Sequence, residues 1–163
     1  MKNLKKIIIG MLTLVMALGM LTGCGPDPVE TDFSKFLNEN MTDVNANYTK
    51  ITKECGKWES LENDEQLISS INDTLLPTVN DSLKKLEEIK PETDEVKALK
   101  DKYVKVINAY KDGFESMQKA AKARDEAGVT AATDKIQKGV ELLDDYNKSL
   151  ESLAKQFDME VQY

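Results

Sequence analysis

Few side chains in this 163-residue sequence could do covalent or metal chemistry, and the most telling of them is a thiol. Cysteine occurs at positions 24 and 55 only, and histidine does not occur. The lack of histidine removes the usual general base, the Ser-His-Asp and Cys-His arrangements, the Glu-x-x-His di-iron pattern and the common zinc sites. Carboxylates are plentiful, but pairs such as Glu87-Glu88 and Asp144-Asp145 are neighbours in sequence and diverge around a helix instead of sharing a site. No calcium loop of EF-hand spacing and no glycine-rich phosphate loop is present. No catalytic residue, metal ligand or cofactor is therefore expected, and an enzyme is the least favoured class. Cys24 differs from the rest. It ends an apolar run and opens a polar one.

Met1 to Lys6 carries three lysines and no acid, and Ile7 to Gly23 then runs without a charge. A basic start before a short apolar stretch is the layout of a secretory signal. The run is marginal for a permanent spanning helix, which needs about 20 apolar residues. Leu21-Thr22-Gly23-Cys24 resembles the lipobox of bacterial lipoproteins: a branched apolar residue, two small ones, then the cysteine. The resemblance implies that residues 1–23 are cut away and that Cys24, carrying a diacylglyceryl group, becomes the lipidated N-terminus. More broadly, the chain is similar to small helical-bundle lipoproteins of Gram-positive bacteria. The implied location is the extracytoplasmic face of the cell membrane, reached through the lipid anchor. Gly25, Pro26 and Pro28 read as a tether over 24–31, because proline lacks an amide proton and disfavours helix before it.

Without residues 1–23 the chain keeps 19 basic and 29 acidic residues, a net charge of −10. Such a balance argues against nucleic acid and against lying flat on anionic lipid. Residues 32–163 are enough for one hydrophobic core and too few for two.

Four segments show helical spacing and none alternates as a strand does. Leu37, Met41, Val44, Tyr48, Ile51, Cys55 and Trp58 form a strict seven-residue repeat. Asn63 with Gln66 reads as a capping box, followed by Ile68, Ile71, Leu75, Val79, Ser82, Leu86 and Ile89. A third series runs through Val96, Leu99, Tyr103, Val106, Tyr110, Phe114, Met117 and Ala121. The fourth comprises Ala132, Ile136, Val140, Leu143, Asn147, Leu150, Ala154 and Phe157, after a break at Gly128. Short breaks make consecutive helices antiparallel neighbours. The expected fold is an all-α, up-down-up-down four-helix bundle with helices near 32–58, 64–89, 93–125 and 130–158. In that register Phe114 faces Gly139 and Gly113 faces Val140, large against small. Cys55 falls in the core, where a thiol is inert.

Two places are candidates for function. Tyr48, Ser82, Tyr103, Tyr110 and Asn147 fall in three adjacent core layers beside Pro77, which removes a helical hydrogen bond and kinks its helix. A polar core of this kind is either a small-ligand pocket between helices or a set of residues that fixes register. Trp58 and Arg124, the only Trp and the only Arg, fall at the end of the bundle away from the membrane. Both types are enriched in binding hot spots, although Trp58 also continues the core repeat and Arg124 suits a helix C-terminus. The leading expectation is a monomeric, non-enzymatic interaction or regulatory module with an envelope protein partner. A small-ligand binder or sensor is the alternative.

Overall fold

The computed structural model describes residues 16–18 and 27–162. The expected lipidation at Cys24 and most of the leader lie outside those residues. The fold is all-α, but the expected four continuous up-down-up-down helices are not what forms. Among the described residues there are six α-helices: α1 (Pro28–Lys35), α2 (Thr42–Gly56), α3 (Asp64–Ser69), α4 (Leu76–Glu88), α5 (Asp94–Ala123) and α6 (Glu126–Gln156). Only α5 and α6 are long and unbroken, and the shorter helices are laid against the hairpin they make. The only strands among the described residues, β1 (Met16–Leu18) and β2 (Glu160–Gln162), pair antiparallel over three residues.

The breaks have local causes. Between α1 and α2, residues Phe36–Asn40 widen into a π-helical turn, closed by the Met41 amide on the Phe36 carbonyl at 2.9 Å. This turn lets Phe33, Phe36, Leu37 and Met41 all enter the core. Between α3 and α4, Ser70–Leu75 is also π-helical, and Pro77, which has no amide to donate, follows the widened turn directly. Upstream of that widened turn the buried face rolls back by one residue. Leu67 is buried, and Ile68, expected in the core, is only half-buried.

Helix starts follow their caps. Asn63 accepts from the Gln66 amide at 3.0 Å, and Gln66 Oε1 accepts from the Glu62 amide at 2.8 Å, so the box closes one residue further back than expected. Pro28 does not belong to a tether. It occupies the first position of α1, and Asp27 caps that helix by accepting from the Val29 amide at 2.7 Å. Helix α6 likewise begins at Glu126 and not near 130, because Asp125 caps it through the Gly128 amide at 3.0 Å. Gly128 is inside the first turn. A Cβ there would stand 2.7 Å from Asp125 Oδ2 and 2.9 Å from the Ala120 Cβ.

The register of the α5–α6 hairpin differs from expectation by one turn. Gly113 lies against Ile136, where a Cβ would come within 3.0 Å of the Ile136 backbone nitrogen, and Gly139 lies against the Tyr110 ring. Phe114 does not face Gly139, and Val140 is half-buried. The turn joining the helices is short because Arg124 takes a left-handed conformation, φ 53°. The Asp125 amide then reaches the Ala120 carbonyl at 2.9 Å, and the Arg124 amide reaches Ala121 at 3.1 Å. This is the Schellman pattern, with arginine where glycine is usual.

Candidate functional site: the buried tyrosines

The slipped register decides which polar groups meet. Tyr103 and Tyr110 on α5 are fully buried and Tyr48 on α2 is 2 % exposed. On α6 it is Tyr146 whose ring joins them, through Tyr103. The Tyr146 ring meets Tyr103 edge to face at 4.8 Å and 61°, whereas Asn147 is only half-buried. Tyr48 lies 6.4 Å from Tyr110, which stacks on Phe114 at 6.2 Å, and Phe114 meets Trp58 edge-on at 5.9 Å. A continuous aromatic line thus crosses the core from α2 through α5 and back to the segment after α2.

Burial pushes all four phenols toward the neutral form. Tyr48 is pushed up to about 12, burial outweighing the help its phenolate would take from Tyr110. The Tyr48 and Tyr110 hydroxyls are near enough to influence each other. Nevertheless neither they nor the Tyr103 hydroxyl has a partner at hydrogen-bond distance and angle. Ser82 is fully buried on α4, and its hydroxyl donates to the Thr78 carbonyl at 3.1 Å. The expected set is therefore extended: the three tyrosines stay buried, Ser82 is bonded to its own helix, Asn147 is half-buried with its side-chain oxygen inside, and Tyr146 joins.

Trp58 does not belong to an exposed docking surface. It is 2 % exposed, and its indole Nε1–H donates to Ser70 Oγ at 3.0 Å. The Ser70 hydroxyl donates in turn to Glu54 Oε1 at 2.8 Å, and Lys57 pairs with the other carboxylate oxygen at 2.6 Å. Burial alone would raise the Glu54 pKa, but the bonds from Lys57 and Ser70 hold it below the usual carboxylate range. Arg124 is exposed at the α5–α6 turn. Cys55 is buried as expected, and desolvation drives its thiol pKa up, against thiolate chemistry.

A site residue that sequence reasoning missed is Asp32 on α1, 7 % exposed. Its Oδ2 accepts from the Glu92 amide at 2.9 Å, the Thr93 amide at 2.8 Å and the Thr93 hydroxyl at 2.7 Å. Thr93 is the N-cap residue of α5 and makes no side-chain cap of its own, so Asp32 caps that helix from outside. Open grooves also occur on the surface of the described residues. One, about 340 Å³, lies between α5 and α6 beside Leu99, Lys102, Ser149 and Leu153. Another, about 460 Å³, is lined by Lys35, Asn40, Asp43, Lys85 and Glu88.

Among the described residues no cluster of carboxylates and thiols is placed to hold a metal ion, and no helix is long and apolar enough to cross a membrane. No curated protein and no solved structure matches the chain. A family model does match, over residues 30–158, which takes in nearly all of the helical body with Asp32 and the tyrosines, and the chain belongs to that family, described as uncharacterised lipoprotein PM1805.

Proposed function

We propose that this lipoprotein is a non-enzymatic interaction or regulatory module on the extracytoplasmic face of the cell membrane. In this reading lipid on Cys24 holds it there as a monomer, and its helical domain is offered to an envelope protein. The Asp32 contact carries the reading. Helix α1 starts only four residues after Cys24, and Asp32 fastens it to the start of α5. Four residues reach at most about 14 Å, so the anchor leaves the domain little freedom. From that fastened end α5 runs 30 residues, about 45 Å, to Arg124. A rigidly mounted post with one exposed arginine at its far end suits presentation of a surface to a neighbour.

The test is a photo-reactive residue placed at Lys122 or Glu126, near the far turn, or at Glu30, near the anchor, in living cells. The reading expects a discrete protein adduct from the far turn, weakened by Arg124→Ala and absent from position 30. Absence of any protein adduct from the far turn would overturn it.

A further inference from the structure

The Tyr48, Tyr103 and Tyr110 hydroxyl oxygens are sealed from solvent and have no partner at hydrogen-bond geometry. Their rings are well packed, and the Tyr110 ring lies so close to Gly139 that a Cβ there would stand 2.7 Å from it. Phenylalanine would make the same ring contacts at all three positions. The Tyr48 and Tyr110 hydroxyls are close enough to affect each other, but neither they nor the Tyr103 hydroxyl reaches hydrogen-bond geometry; buried polar groups in folded proteins are satisfied as a rule. The π-helical segment Ser70–Leu75 packs on both α2 and α5, the helices that carry these tyrosines. π-Helical turns recur where a protein binds something.

We propose that the three hydroxyls form an internal binding site for a small neutral hydrogen-bonding molecule. Neutrality follows from the surroundings. The one buried charged side chain among the described residues is Asp32, and it is committed to the start of α5. Phenols kept in their neutral form by burial can each donate and accept. The occupant is small because the three oxygens are sealed from solvent among buried side chains: ordered water, or a neutral solute of a few heavy atoms. Both have the same donor and acceptor chemistry. The site is independent of any protein partner at the far turn.

The experiment compares the full lipidated chain, extracted from its own membranes, with its Tyr48→Phe/Tyr103→Phe/Tyr110→Phe variant and with Tyr103→Phe alone. Each change removes only an oxygen, and circular dichroism with Trp58 emission checks the fold. Two readouts are taken: magnetic relaxation dispersion of solvent water, which detects long-lived internal water, and native mass spectrometry. A dispersion step identifies water and a small neutral mass adduct identifies a solute. Either signal is expected to be lost completely in the triple variant and to fall in Tyr103→Phe. Absence of both signals from the wild-type chain, or a signal that persists unchanged in both variants, overturns the site.

Discussion

Asp32 and Thr93 are bonded twice, the carboxylate Oδ2 accepting from the Thr93 amide at 2.8 Å and from its hydroxyl at 2.7 Å. A third bond, from the Glu92 amide, completes a tertiary cap in which one helix supplies what another lacks at its own N-terminus. The carboxylate charge also faces the positive end of the α5 dipole. Asp32 therefore joins the first element after the anchor to the longest hairpin of the domain.

Replacing Asp32 tests that join. Bonds to a charged, buried acceptor are worth about 1.5–3 kcal/mol, and removing it leaves amide donors at the α5 start unpaired. Asp32→Ala is expected to lower unfolding free energy by about 2–3 kcal/mol in a urea titration, with Asp32→Asn losing less. Amide exchange should speed up at Thr93 and Asp94 before it does at Leu143. Unchanged stability in Asp32→Ala would show that the cap is replaceable by water.

Glycine substitutions probe the hairpin register. At Gly139 a Cβ would collide with Tyr110 ring carbons at 2.7 Å, and at Gly113 it would press on the Ile136 backbone. Overpacking costs about 1–3 kcal/mol, which exceeds the gain of about 1 kcal/mol in helix propensity from glycine to alanine. Both Gly113→Ala and Gly139→Ala should lower the thermal midpoint. Gly56→Ala, at a helical site with nothing within 4 Å, should raise it through about 0.5–1 kcal/mol. A stabilising Gly139→Ala would mean that the helices do not approach as described.

That register also marks how far the sequence could be read. In the first helical stretch every member of the repeat from Leu37 to Trp58 is buried, because large apolar residues announce their own face. In the last stretch the true seven-residue series passes through Ala132, Ile136, Gly139, Leu143, Tyr146, Leu150 and Leu153, all buried. Gly139 has no side chain to register as apolar, so spacing counted from Val140 selects Asn147 in place of Tyr146. The breaks within the first two expected helices carry no sequence signal either, since a π-helical turn leaves no residue pattern of its own. The Asp32 cap was invisible because its partners are 60 and 61 residues away. The indole of Trp58 found its acceptor, Ser70, across a chain reversal in the same way.

Alkaline pH should unfold the domain through its phenols. The folded pKa of Tyr48 is raised to about 12 from an ordinary 10, and burial raises Tyr103, Tyr110 and Tyr146 as well. A raised pKa means that the unfolded chain loses its proton first. The associated stability is complete below about pH 10 and is lost as pH climbs through 12. Phenolate absorbance should therefore appear together with loss of helical signal in one cooperative step for these four residues. Tyrosines that titrate freely near pH 10 with the helices intact would contradict their burial.

Arg124 completes the set, because its backbone and its side chain give opposing predictions. A residue with a Cβ pays about 1 kcal/mol for the left-handed conformation that the Schellman turn requires, and glycine does not. Arg124→Gly should therefore raise stability by up to about 1 kcal/mol, whereas Arg124→Ala should leave it nearly unchanged. If the far turn meets a partner through the guanidinium, both variants must weaken the photo-adduct from position 122 equally, despite their different stabilities. Equal loss of adduct from a stabilised and a neutral variant separates recognition from folding. Full adduct yield from Arg124→Gly would mean that arginine at this turn serves no contact, and the partner surface would have to be sought along the exposed faces of α5 and α6.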